Sequence, residues 1–137
     1  MPRYFSVAEV NSLLPDINEL MGELLKRRGK VVSQAEELKG VVADRYSNTG
    51  SAEASAVVKD FIAIERLTDK VESYGCTIKN LNAGTIDFLS QYEGRDVWLC
   101  WRYGEKPELE YFHDLMAGFH GRRPIIDPND FWTEGDS

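Results

Sequence analysis

The chain has 137 residues, enough for one domain, with ordinary apolar content and a formal net charge of −7. That charge excludes the broad basic face with which proteins neutralise nucleic-acid phosphates or an anionic membrane, so neither partner is expected. No apolar run approaches the roughly 18 residues of a membrane span, and MPRYFSVAEV lacks the apolar core of a signal peptide, so a cytoplasmic protein is expected.

Residues 1–126 read as a single α+β domain, with a helical arm over about 6–75 and a sheet and motif region over about 76–126; residues 127–137 read as a C-terminal tail. Ser6-Val7-Ala8-Glu9 has the form of a capping box, so a helix starts there. A heptad pattern follows. One set of positions holds Val7, Leu14, Met21, Arg28, Ala35 and Val42, the other Val10, Ile17, Leu24, Val31 and Leu38. Such a seam, about five heptads long, calls for a partner helix. Pro15 lies off the seam and predicts a kink or a very short break. Gly22, Gly29 and Gly40 lower intrinsic helicity, so packing must hold the helix. The basic cluster Lys26 to Lys30 reads as a solvated face balanced by acids such as Glu36 and Glu37, rather than as an anion patch.

Tyr46 to Ser51 is a turn by composition, and a second helix spans roughly Ala52 to Tyr74. Its seam is Val57, Phe61, Ile64, Thr68 and Val71, with Gly75 placed as a left-handed C-terminal residue. The two helices suggest a long antiparallel hairpin. The first is longer, so its surplus seam must meet the sheet or a second copy of the chain.

Thr85 to Gln91 and Asp96 to Tyr103 both alternate, and Glu93-Gly94 is a two-residue hairpin turn. That turn sets Asp87 opposite Cys100, Phe88 opposite Leu99 and Leu89 opposite Trp98. A third strand, Glu108 to His113, then brings Tyr111 beside Cys100, Phe112 beside Leu99 and His113 beside Trp98. One face carries Ile86, Phe88, Val97, Leu99, Trp101 and Phe112 and should pack on the helices. The other carries Asp87, Leu89, Trp98, Cys100, Tyr111 and His113. It is too aromatic to be simply wet, so the tail with Phe131 and Trp132, or a partner subunit, should cover it.

That second face is the candidate site. Catalytic candidates are Asp87, Glu105 and His113, since an imidazole titrates near neutral pH and a carboxylate can orient it. The bland alternative, His113 stacked beside Trp98 and bonded to backbone, is favoured. Ligand- or anion-binding candidates are Arg122, Arg123, Trp98 and Tyr111; the arginines follow glycines that let backbone approach closely. No metal is expected, because there is no CxxC and no HxxxH. The backbones of Asp87 and His113 stand roughly 12 Å apart, which argues against shared chelation. Cys100 reads as a buried, inert thiol, and Cys76 and Cys100 as reduced and unbridged. The cofactor is left unassigned.

Ile78-Lys79-Asn80, Gly84, Asp87-Phe88, Gly94-Arg95, Val97 to Trp101, Gly104-Glu105, His113, Gly118-Phe119, Arg122 and Pro124, with the opening Phe5-Ser6, Glu9 and Leu13-Leu14-Pro15, carry a resemblance over nearly the whole chain. They resemble the bacterial domain-of-unknown-function 2203 family. The most specific part is Leu99 to Glu105 followed by Tyr111-Phe112-His113. Phe112 stands where that family commonly has tryptophan, and Gly84 to Leu89 replaces a Gly-Leu-Val-Asp-Phe-Pro-like run. The resemblance supports fold and site location and implies no activity.

The sequence therefore predicts an α+β fold: a long antiparallel helical hairpin packed on a small three-stranded antiparallel sheet, forming a homodimer. The expected function is a non-catalytic interaction or scaffold role. The alternative is an enzyme or sensor for a small molecule or anion, with Asp87, Glu105, His113 and Arg122 lining a cleft, with or without a metal.

Overall fold

The computed structural model describes residues 3–44 and 52–135, without the side chains of residues 37–44 and 52–54. Helix α1 spans Val7–Asp44 and helix α2 Ala52–Glu72. The Ser6–Glu9 capping box forms: the Glu9 N–H donates to Ser6 Oγ at 3.0 Å and the Ser6 N–H to Glu9 Oε1 at 3.2 Å. α1 runs unbroken through Pro15, which faces solvent. The turn expected over Tyr46 to Ser51 lies outside the described residues.

The helix seam is buried where it has a partner. Val7, Val10, Leu14, Ile17 and Met21 join the core with Ile86, Phe88, Val97, Leu99, Trp101 and Phe112 of the sheet. Leu24 and Val31 continue the buried stripe, and Arg27 and Lys30 reach the buried Asp60 of α2, each at 3.5 Å. The basic cluster is thus balanced within the chain by Asp60 and by Glu23, 3.3 Å from Arg27; the Glu37 side chain lies outside the described residues. On α2, Val57 and Val71 are buried as expected. Phe61 is 53 % exposed, so it does not belong to the buried stripe; Asp60, one residue earlier, turns inward in its place.

The turn that follows α2 closes at Gly75, whose N–H donates to the Glu72 carbonyl and whose φ of +105° suits glycine. Phe5 packs against it so closely that an added Cβ would lie 2.5 Å from Phe5 Cζ.

The sheet has five strands, not three. They are β1 (Thr77–Asn80), β2 (Thr85–Tyr92), β3 (Arg95–Arg102), β4 (Tyr111–Asp114) and β5 (Arg123–Pro124), all antiparallel and in sequence order. β1 lacks alternation because only Ile78 is even half-buried, and β5 is two exposed residues. β4 begins later than Glu108 because the Leu109 N–H donates to Asn11 Oδ1 of α1, at 2.7 Å, instead of to a strand. The register between β2, β3 and β4 is the one the Glu93-Gly94 turn dictates. Glu93 and Gly94 have φ of +52° and +77°, as a two-residue turn of this hand needs.

The described residues of the tail do not cover the second sheet face. Phe131 packs into the helix-side core against Tyr92 and Phe112, with centroids 4.9 Å away in both cases. The segment Leu115 to Arg122, including a short 3-10 turn at Phe119–Gly121, lies over the second face instead.

Candidate functional site

Strand alternation sends Asp87 (β2), Cys100 (β3) and His113 (β4) to the same side of the sheet. Asp87 pairs across from Cys100, while His113 pairs with Trp98, so Asp87 and His113 stand diagonally across Cys100. The small Cys100 side chain leaves room for the imidazole to lean over it. His113 Nε2 reaches Asp87 Oδ2 at 3.0 Å. Both residues are buried, 3 % and 2 % exposed. This corrects the expectation that the two cannot meet: the backbone spacing is bridged by side chains converging along the diagonal.

The hydrogen bonds assign the proton positions. His113 Nδ1 lies 2.9 Å from the Asp114 carbonyl, which can only accept, so Nδ1 carries a proton. Nε2 then faces Asp87 with one proton between them: either a neutral imidazole with a protonated carboxyl, or an imidazolium with a carboxylate. Burial pushes the Asp87 carboxyl above its ordinary pKa; His113, Cys100 and Lys79 oppose the shift without cancelling it. The other oxygen, Asp87 Oδ1, is buried with no well-formed hydrogen bond. The Cys100 thiol, close enough to interact with the carboxylate, does not complete one. Burial raises the Cys100 pKa, Asp87 adds to the rise and Arg122 offsets part of it. The metal-ligating atoms of Asp87, Cys100 and His113 all lie within 4.8 Å of one another.

A cavity of about 490 Å³ opens onto this cluster. Lys79, Arg102 and His120 bring basic groups to its lining, and Trp98 and Phe119 supply aromatic walls. Lys79 Nζ sits 4.0 Å from the Trp98 ring centroid. Arg102 is held by its Nε–H donating to the Ala83 carbonyl at 3.3 Å.

Glu105 and Arg122 take a different role from the one expected. They do not line the cavity; they pair with each other, with Arg122 Nη2 2.9 Å from Glu105 Oε2 and Nη1 3.1 Å from Oε1. Glu105 Oε1 also accepts the Arg102 N–H at 2.8 Å. The Arg122 guanidinium lies between Tyr111 and Phe119, 4.2 and 4.0 Å from their centroids. It anchors the segment that walls the cavity. Arg123 points to the opposite face, toward Phe112 and Tyr92, as strand alternation requires.

The expected cleft of four residues is therefore two neighbouring groups: Asp87 and His113 on the cavity floor, Glu105 and Arg122 behind its wall. Cys100 lines the cavity on the face where the sequence placed it, and Lys79, Arg102 and Phe119 are lining residues that sequence reasoning missed. Parity was the available signal for Arg102, which shares the face of Trp98 and Cys100 on β3.

The family model described as an uncharacterized conserved protein, DUF2203, matches residues 3–125. The chain belongs to the DUF2203 family. No curated protein and no solved structure gives a significant match. The matched span contains every residue of the DUF2203 cavity described above, and it ends before the tail.

Proposed function

We propose that this DUF2203 protein binds a small anionic molecule in the cavity over β2, β3 and β4, with the Asp87–Cys100–His113 cluster as the reactive floor. The observation that carries this is a reversal of charge. In a chain of net charge −7, Asp87 is, among the described residues, the one carboxylate in the cavity lining, facing Lys79 and Arg102, with His113 and His120 alongside. Long-range charge would repel an anion from most of this surface, so local cations must supply the attraction. The aromatic walls suit a ligand with a flat or apolar portion. A buried polar cluster with perturbed carboxyl and thiol groups beside a cavity is the arrangement that reactive sites share. Two unpaired cysteines fit a reducing, cytoplasmic setting.

Calorimetric titration with inorganic phosphate and a series of small mono- and dicarboxylates tests this. Binding of at least one class should weaken about tenfold in Arg102→Ala and Lys79→Ala, and further with salt. No binding by any of them, or binding indifferent to both substitutions, would overturn the proposal.

Self-association is a second reading, supported by a specific observation: Val58, Phe61 and Ile62 of α2 and Val32 of α1 are all more than two-fifths exposed. A homodimer burying these residues would make the helix pair an interaction surface. Static light scattering over a dilution series tests it, and a monomer at every concentration would remove it.

A further inference from the structure

We infer that Asp87, Cys100 and His113 form a zinc site with one coordination position open to the cavity. This rests on the cavity reading for the ligand of that open position, but the ion itself rests on the cluster alone. Three observations converge. The donor atoms, one oxygen, one sulfur and one nitrogen, lie within 4.8 Å of one another. Ligand atoms around a tetrahedral zinc stand roughly 3.3–3.8 Å apart, so only small side-chain movements close the site. The His113 tautomer is already the one that ligation needs: Nδ1–H donates to the Asp114 carbonyl, leaving Nε2 directed at Asp87. A backbone carbonyl holding the far nitrogen is the usual support of a histidine ligand. Lastly, Asp87 Oδ1 is a buried acceptor with no well-formed hydrogen bond, with only the Cys100 thiol of the same cluster interacting with its carboxyl, in a side chain only 2 % exposed. A buried group of that kind is costly unless something binds it.

Charge gives the same answer. A carboxylate, a thiolate and a neutral imidazole sum to −2, which a divalent ion cancels, so the occupied cluster is neutral where it is buried. The mixed oxygen, sulfur and nitrogen set suits zinc better than magnesium or calcium, which prefer oxygen alone. Three protein ligands leave the fourth position for water or a ligand anion, and the cavity is the path by which the ion enters. Binding displaces the Cys100 thiol proton and the proton shared by Asp87 and His113; both go to solvent, and no electrons move.

The test uses the full chain, purified without a histidine tag and stripped with chelator, then titrated with Zn²⁺ and, separately, Co²⁺. One equivalent of zinc should bind, releasing about two protons per ion at neutral pH. Co²⁺ should give a sulfur-to-cobalt charge-transfer band. That band should vanish in Cys100→Ser and persist in Cys76→Ser, because the Cys76 thiol is engaged elsewhere, donating to the Val71 carbonyl at 3.3 Å. His113→Gln should weaken zinc at least tenfold. No stoichiometric uptake by the wild-type chain overturns the inference, as does a charge-transfer band that survives Cys100→Ser. The wild-type measurement needs no variant to fold. Anion binding without metal uptake would sink the zinc site and leave the cavity proposal standing. Metal uptake without anion binding would do the reverse.

Discussion

His113 and Asp87 meet diagonally across a cysteine, 3.0 Å apart, reaching over β3 from the strands on either side of it. Because the far side of the imidazole is committed to a backbone carbonyl, Asp87 must either donate a proton to it or face it as an anion. Asp87→Asn replaces that ambiguity with a permanent donor of the same shape. In the metal-free chain we expect it to fold normally and to be more stable than wild type at pH 8 by about 1 kcal/mol. The sign follows from burial. A folded-state pKa raised above the unfolded value gives stability that is complete below the ordinary carboxylate range and is lost as pH rises through the folded value. The advantage of Asp87→Asn should therefore grow from pH 4 to pH 8 in urea titrations. A constant difference across that range would refute the protonation scheme.

Arg122 tests the wall of the cavity. It stacks between Tyr111 and Phe119 and makes two bonds to Glu105. Lysine keeps the charge but loses the planar stack and the fork. Arg122→Lys should cost roughly 1–2 kcal/mol in chemical denaturation. It should also raise amide exchange over residues 115–122, with little change in the helices. Equal loosening of α1 would show that Arg122 supports the whole fold rather than this segment.

Gly75→Ala is expected to be among the more damaging single-atom additions in the protein. The new Cβ would meet the Phe5 ring at 2.5 Å, and the backbone is in a conformation that alanine resists. A loss of about 2–4 kcal/mol in denaturation midpoint analysis is expected. A change below about 0.5 kcal/mol would mean that Phe5 can swing away from α2 freely.

Phe61 separates stability from assembly. It is exposed, so Phe61→Glu should leave monomer stability within about 0.5 kcal/mol of wild type. If the exposed face of α2 self-associates, the same substitution should convert the species seen by light scattering from dimer to monomer at equal concentration.

The sheet face and its register were legible because one turn, Glu93-Gly94, fixes every pairing of β2 with β3, and alternation carries the result into β4. The buried stripe of α1 was legible for the same kind of reason, a strict period. β1 and β5 were not, since Thr77 to Asn80 and Arg123-Pro124 are short, mostly exposed and carry no alternation. The contact of Asp87 with His113 is hidden for a geometric reason: strand spacing gives the distance between backbones, and the side chains close it along the diagonal. Phe61 misleads because α2 carries apolar residues on an exposed face as well, Val58, Phe61 and Ile62, while the inward position next to it is held by Asp60, paired with Arg27 and Lys30.

The upper edge of β2 has one further consequence, and it concerns folding order. Beyond the reach of β1, the Leu89 carbonyl accepts the Phe5 N–H and the Gln91 carbonyl accepts the Trp132 N–H. Ser90 Oγ donates to the Phe5 carbonyl, a contact between residues 85 apart in sequence. The β2–β3 pair can close locally, but this edge is completed only when both ends of the described chain arrive at the same strand. Long loops are the costly ones to close, so this junction belongs to the late side of the folding barrier. Contacts that form late are those that govern how fast a protein unfolds once folded. The lifetime of the folded state is thus expected to be set at the seam joining residues 4 and 132, whose rings stand 6.2 Å apart, and not at the cavity, which that seam does not line.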